Sequence, residues 1–325
     1  MMRYAMAAAK PGGSDVIRKI ELDAFSPSAE EVLIRHEAIG LNFLDIYIRN
    51  GAYPWPVETD LVLGSEGAGV IEAVGSDVNE LAVGDRVGYT LANGAYATHR
   101  LINATHVVKL PDHVSSELAA SIMLKGLTVA YLINDSFKVE AGHTVLFHAA
   151  AGGVGLIAGQ WLNALGATVI GTAGGADKCA LARANGYQHV IDYKIADFEA
   201  EVMKLTDGNG VDVTYDSVGN DTMARSLTST RRHGTIIAFG QSSGPYLDFK
   251  ITDLAKGSYK LSRPTLFHFA GERNWLEANS AKLFTAVTDG TVNVSINQKF
   301  ALEDVAKAHD ALTGRATTGS TILTI

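Results

Sequence analysis

An α/β fold, with a doubly wound parallel sheet joined to a β-rich domain, is what the sequence predicts, and three observations predict it. The 325 residues make about two domains at roughly 150 residues each. Strand-like and helix-like segments alternate from His143 to about Gly240, the pattern of a parallel sheet with crossover helices. From Met1 to about Leu124 the chain runs instead as short β-branched segments broken by Gly, Pro and Asp.

In order along the chain, Glu31–His36, Gly69–Val74, Asp85–Thr90 and Val107–Lys109 read as strands of the β-rich domain. A helix follows over Glu117–Leu132. The parallel sheet is expected to use Thr144–Ala149, Thr168–Thr172, His189–Asp192, Val211–Tyr215 and Thr235–Phe239, of which His189–Asp192 is the least apolar. A helix over Arg273–Thr288, an amphipathic segment Leu302–Leu312 and a last strand Ser320–Ile325 complete the reading.

Composition excludes several classes. Lys plus Arg number 27 against 35 Asp plus Glu, a net charge of −8, which opposes loose binding to polyanions, so nucleic acid is not an expected partner. The one cysteine, Cys179, cannot make an intramolecular disulfide or a multi-thiolate metal site, and a reducing, cytoplasmic compartment is expected. With 47% apolar and 19% charged residues the chain is too hydrophobic for disorder. Ala141–Ala176 contains no Asp, Glu, Lys or Arg, yet it does not read as a membrane span. His143, His148, Gln160 and Asn163 interrupt it, and its glycines sit where a strand would turn into a helix. Tyr4–Ala9, ahead of Lys10, is too short for the apolar core of a signal peptide.

The most informative segment is Val145–Gly155. An apolar strand runs into Ala150-Ala151-Gly152-Gly153-Val154-Gly155, a GxGxxG turn with alanine at its first position. Gly152 lets the backbone approach a pyrophosphate, Gly155 lets the helix pack closely on its strand, and the helix N-terminus offers free N–H groups to the anion. The helix that follows carries Val154, Ile157, Ala158, Trp161, Leu162 and Leu165 on one stripe, as a helix lying on a sheet requires. This is a Rossmann dinucleotide site. An NAD site places an acid about 20 residues beyond the glycines to hold the ribose hydroxyls, but Gly171-Thr172-Ala173-Gly174 supplies none. Asp177 lies slightly further on, and Lys178 beside it suits a 2′-phosphate, so NADPH is the expected cofactor.

With these features in view, the chain resembles the NADPH:quinone oxidoreductases, the zinc-free ζ-crystallin-like branch of the medium-chain dehydrogenase/reductase superfamily. The segments that carry the resemblance are Gly40–Tyr47 with Arg49–Gly51, Leu63–Gly69, Leu124–Thr128, Phe147–Gly155, Tyr215–Gly219, Phe239–Gly244, Ser262–Pro264 and Arg315–Gly319. It implies a GroES-like catalytic domain over residues 1–125, a Rossmann NADP-binding domain over 126–262, and a return of 263–325 to the catalytic domain. It places Asn42, Lys125, Thr128, Gly152, Gly153, Val154 and Gly155 along the nicotinamide and pyrophosphate. Gly174, Lys178 and Tyr193 would surround the adenosine end, and Ser217, Phe239, Gly240, Ser242 and Arg315 the rest of the cofactor.

The resemblance further implies reduction of a quinone in a zinc-free cleft between the domains, with the protein orienting nicotinamide and acceptor. Asn42, Asp45, Tyr47 and Tyr53 are the candidates beside the reacting atoms. Zinc-dependent relatives carry a cysteine at the position of Asn42, and no metal is expected here. Glu66 reads as a hydrogen-bonding residue in a turn, and His99, His106, His148 and His268 show no paired ligand spacing. Two other readings stand beside the quinone reductase. One is NADPH-dependent reduction of the double bond of a 2-alkenal or enone, and the other a non-enzymatic NADPH-binding structural or RNA-binding protein. A homodimer is implied by the resemblance alone.

Overall fold

A computed structural model describes residues 3–325. It divides into two compact units. The first comprises the described residues through Leu127 with Phe267–Thr288 and Val294–Ile325; the second comprises Thr128–Leu266 and Asp289–Asn293.

The first unit begins with β1 (Tyr4–Ala8), β2 (Arg18–Glu21), β3 (Glu31–Gly40), α1 (Phe43–Arg49), β4 (Leu61–Val62), β5 (Glu66–Val74), β6 (Arg86–Thr90), β7 (His99–Asn103) and β8 (Val107–Lys109). Helix α2 (Ser116–Tyr131) then leads into the second unit, where β9 (Thr144–Phe147), α3 (Gly153–Ala164), β10 (Thr168–Ala173), α4 (Ala176–Ala184), β11 (His189–Asp192), α5 (Phe198–Leu205), β12 (Val211–Asp216), α6 (Met223–Ser229), β13 (Thr230–Ala238) and β14 (Lys260–Ser262) follow. The chain closes with α7 (Leu266–Ala270), α8 (Arg273–Thr288), β15 (Ile296–Ala301), α9 (Val305–Thr313) and β16 (Ser320–Thr324).

In the first unit β15-β16-β3-β5-β6-β8 form one sheet with β7 also on β3, and β2-β1-β4 form another. Val32, Ile34, Ile39, Ile71, Val87, Tyr89 and Leu323 are buried in one apolar core, which is what the β-branched runs of the sequence provide. The end of the chain reaches this sheet through β16, whose Ile322 pairs with Gly40 of β3. Gly40 admits no side chain, because a Cβ there would run into Ala120 O and Glu66 Oε2.

The second unit holds a six-stranded sheet in the order β11-β10-β9-β12-β13-β14, with every pair parallel. Relabelled from β9, this is the doubly wound order 3-2-1-4-5-6, and the strand order reverses between β9 and β12. The carboxyl ends of those two strands therefore border the crevice in which such sheets bind ligands. The segment Ala141–Ala176, free of Asp, Glu, Lys and Arg, contains β9, the glycine turn, α3 and all of β10.

Two details depart from the sequence reading. β13 begins at Thr230, ahead of the expected Thr235, because a bulge lets Val211 pair with Thr230 and Val213 with Thr235, with His233 at φ +62° inside the extra loop. β14 is an edge strand that its short, half-polar sequence Lys-Leu-Ser did not announce. Asp289–Asn293 groups with the second unit, where Gln160 Nε2 donates to Asn293 O at 3.0 Å and Asn293 N donates to Gln160 Oε1 at 2.7 Å. Among the described residues one continuous helical stretch, Ser116–Ser136, is long and apolar enough to cross a membrane, and most of it is buried inside the protein.

Candidate active site

The glycine turn is built by close approaches that side chains would block. After β9, Ala149 takes a left-handed conformation at φ +55°, and the chain enters α3 through Gly152 at φ −79° and ψ 167°. A Cβ on Gly155 would strike the carbonyl oxygens of Ala149 and Ala150, so glycine alone lets α3 start this close to the strand end. Helix geometry leaves the first-turn amides of α3 without intrahelical acceptors, directed at the space beyond the turn. On the predicted stripe Ile157, Ala158 and Leu162 are buried. Beside this stripe, against Gly155 and Gly159, lies Tyr187, a residue the sequence reading missed. Its hydroxyl donates to Gly155 O at 2.7 Å, and its ring fills the space that side chains on Gly159 and Gly171 would need.

At the end of β10 the chain passes through Gly174 and Gly175, the latter at φ +97°. A Cβ on Gly174 would meet the Tyr193 ring, so Gly174 and Tyr193 lie together, and Tyr193 is 44% exposed. One carboxylate here, Asp192, stands at the end of β11 and is already engaged: its Oδ1 accepts from Gly175 N and Lys194 N, both at 3.0 Å; a second, Asp177, is exposed in the first turn of α4. The two backbone donors hold the Asp192 carboxyl below the usual range. Lys178 on α4 is half-buried, and Lys194, a second cation absent from the sequence reading, is exposed with its ammonium near Gly175. The turns after β12 and β13 carry four more of the predicted residues. Ser242 N donates to Ser217 O at 3.1 Å, Phe239 N donates to Asp216 O at 2.8 Å, and a Cβ on Gly240 would strike Ser217. Ser217, Phe239, Gly240 and Ser242 are thus neighbours at the carboxyl ends of β12 and β13.

In the first unit Asn42 sits immediately before α1 and is buried. Its Nδ2 donates to Glu66 Oε2 at 2.9 Å, and Lys125 Nζ donates to the same oxygen at 3.2 Å, while Leu124 N donates to Oε1 at 2.7 Å. Glu66 opens β5 rather than lying in a turn, and at 0% exposure it is a buried anion compensated by one ammonium and two further donors. Asp45 is not a wall of an acceptor pocket. It is 0% exposed, accepting from Asn42 N at 2.9 Å, Ser65 Oγ at 2.7 Å and Tyr96 Oη at 2.8 Å, and burial pushes its carboxyl up to about 6. Its work is to hold the start of α1, and with it Asn42. Tyr47 and Tyr53 are partly exposed and stack at 5.9 Å and 23°, continuing a row that begins with Phe43, 6.0 Å from Tyr47.

The predicted residues fall in both units. Asn42, Asp45, Tyr47, Tyr53, Lys125 and Arg315 belong to the first, with Arg315 exposed at φ +58° just after α9. Thr128, the residues of the glycine turn, Gly174, Lys178, Tyr193, Ser217, Phe239, Gly240 and Ser242 belong to the second, Thr128 lying one turn beyond Lys125 on α2. No group of three or more His, Cys, Asp and Glu comes together among the described residues, and the carboxylate beside Asn42 already faces an ammonium.

Residues 28–112 match the alcohol dehydrogenase GroES-like domain and residues 153–278 the zinc-binding dehydrogenase domain. A quinone oxidoreductase of Pseudomonas aeruginosa is 44% identical over 314 residues, 96% of either chain. A 2-haloacrylate reductase of a Burkholderia species is 40% identical and covers 99% of this chain and of its own. The solved structure of an Escherichia coli quinone oxidoreductase complexed with NADPH superposes with a TM-score of 0.97 at 40% identity, covering 99% of this chain and 100% of that one. The chain belongs to the quinone oxidoreductase family, built from a GroES-like domain and a dinucleotide-binding domain of the zinc-binding dehydrogenase type.

Proposed function

We propose that this protein is an NADPH-dependent quinone reductase that works without a metal. The observation that carries the reading is the glycine turn of α3 followed by a β10 end, Gly171-Thr172-Ala173-Gly174, that carries no carboxylate, with Asp192 engaged by backbone amides and with Lys178 and Lys194 as cations beside the exposed Asp177. Bound NADPH supplies the hydride. The α3 amides and the side-chain-free surface at Gly152 and Gly155 receive the pyrophosphate. Lys178, Lys194 and the Tyr193 hydroxyl take the 2′-phosphate, for which an acid at that strand end would be repulsive. Thr128, Ser217, Phe239, Gly240, Ser242 and Arg315 complete the cofactor contacts. Asn42, its amide fixed by Glu66 and its backbone by Asp45, orients the nicotinamide or the acceptor oxygen. The row Phe43, Tyr47, Tyr53 offers flat apolar faces and phenol donors to a planar conjugated acceptor. A cytoplasmic location fits a chain whose one thiol is buried and unpaired; a homodimer rests on the family resemblance alone, and light scattering tests it.

The testing experiment follows NADPH oxidation with excess EDTA against benzoquinones, naphthoquinones and trans-2-alkenals, and repeats it with NADH. Turnover with quinones that survives EDTA and prefers NADPH supports the proposal. Turnover with alkenals alone moves the protein to the double-bond reductases, a reading favoured by its 40% identity to a 2-haloacrylate reductase. Tight NADPH binding with no turnover of either acceptor leaves the non-enzymatic role.

A further inference from the structure

The carboxyl ends of β9, β10 and β12, around the point where the strand order reverses, are joined by a row of buried side chains that none of the proposed cofactor contacts uses. His148 and Thr172 stand at the ends of β9 and β10, Asp216 at the end of β12, and Ser226 on α6; their exposures are 0%, 2%, 0% and 0%. His148 Nδ1 lies 2.9 Å from Thr172 Oγ1, His148 Nε2 lies 3.0 Å from Ser226 Oγ, and Ser226 Oγ donates to Asp216 Oδ2 at 2.7 Å.

The proton order in this row is fixed. Ser226 has one hydroxyl proton and gives it to Asp216, so it can only accept from the imidazole, and Nε2 must carry the ring proton. Burial pushes the imidazole down, towards its neutral form, so Nδ1 is an acceptor and Thr172 donates to it. Phe198 meets the ring edge-on at 4.9 Å and closes it off from water.

Both ends of the row hold backbone that the cofactor must meet. Asp216 Oδ1 accepts from Val218 N at 2.8 Å, Gly219 N at 3.0 Å and Thr222 Oγ1 at 2.9 Å, which sets the turn containing Ser217. His148 directly precedes the left-handed Ala149, and its neighbour's chain is tied to the same strand ends through Ala150 N to Thr172 O at 3.0 Å and His148 N to Tyr215 O at 3.0 Å.

We propose that Thr172, His148, Ser226 and Asp216 act together as positioning residues that hold the glycine turn and the Ser217 turn in the geometry that receives NADPH. The row is made of directional bonds buried from water, so losing one link leaves a buried polar group unsatisfied and lets the two turns move independently. The proposal rests on the dinucleotide reading of this unit.

Ser226→Ala cuts the middle of the row and Thr172→Val, an isosteric change, cuts its start. Hydrogen exchange of the apoprotein is followed over 149–155 and 217–220, NADPH affinity is titrated by fluorescence, and kcat is measured at saturating NADPH. The expected result is faster exchange in both segments, NADPH affinity about tenfold weaker for Ser226→Ala and about threefold weaker for Thr172→Val, and kcat held within about twofold. Unchanged exchange and affinity in either folded variant overturns the proposal, as does a fall in kcat with affinity intact. Thr172→Val, which adds no volume, decides the matter if Ser226→Ala fails to fold. Failure of the wild-type protein to bind NADPH at all would instead overturn the dinucleotide reading.

Discussion

Each unit buries a row of hydrogen bonds of the same design, and they differ in what stands at the start. In the second unit a threonine hydroxyl begins the row that passes through His148 and Ser226 to Asp216. In the first unit Arg49 Nη1 lies 3.2 Å from His309 Nδ1, His309 Nε2 lies 2.9 Å from Tyr96 Oη, and Tyr96 donates to Asp45 Oδ2 at 2.8 Å. Tyr96, like Ser226, spends its one proton on a carboxylate, so His309 also carries its proton on Nε2 and accepts at Nδ1. The order is donor, imidazole, hydroxyl, carboxylate in both. The first row begins on a guanidinium and ends on a carboxylate raised by burial, so it is the electrostatically costly one; the second ends on a carboxylate that four donors address. Buried imidazole rows thus serve two tasks here: one fixes the helix that presents Asn42, the other fixes two cofactor turns.

The largest expected effect lies outside both rows, at the buried ion pair beside Asn42 in the first unit. Glu66→Leu or Lys125→Met leaves one charge buried alone and is expected to cost about 3–5 kcal/mol in urea unfolding, while the double variant recovers most of the loss. Recovery is the diagnostic result, since a loss that merely adds would make the two residues independent. Next, Tyr96→Phe removes both the donor to Asp45 and the acceptor for His309 and is expected to cost about 1–3 kcal/mol.

A smaller effect comes from protons. His309 and His36 are pushed down to about 3 from 6.5, so their share of stability is complete above pH 6.5 and is lost as pH falls towards about 3. Asp45 runs the other way: raised from 3.8 to about 6, it favours the folded state below pH 3.8, and that share is lost as pH rises to about 6. The two slopes oppose each other between those limits. Asp45→Asn removes the opposing one, and its thermal stability is expected to fall on acidification more steeply than the wild type by about 1.4 kcal/mol per pH unit. Parallel curves for the two proteins would mean that Asp45 does not titrate there. The smallest effect is at the cofactor's far end: Lys178→Ala and Lys194→Ala are each expected to weaken NADPH by about three- to tenfold and to leave NADH unchanged, read from paired titrations.

Much of this was legible in the sequence. The helix α8 spans Arg273–Thr288, as its pattern predicts, and the glycine turn announced itself through the spacing of Gly152 and Gly155 between an apolar strand and an amphipathic helix. What was illegible depends on contacts between residues far apart in the chain. His148 and Ser226 are 78 residues apart, and Tyr96 and His309 are 213 apart, so no local spacing relates them. Asp45 was misread as a pocket residue because a carboxylate one turn into a helix looks the same whether it faces solvent or a buried tyrosine. Lys194 and Tyr187 gave a weak signal that could have been used, each lying beside an end of β11, with Tyr187 filling the space beside Gly159 and Gly171.

The most direct test of the division between the two rows is a side-by-side NADPH titration of the wild type, Ser226→Ala and Tyr96→Phe at neutral pH. The account predicts affinity about tenfold weaker for Ser226→Ala and within about twofold of wild type for Tyr96→Phe, although Tyr96→Phe destabilises the fold. Equal weakening in both variants, or weakening confined to Tyr96→Phe, would contradict it.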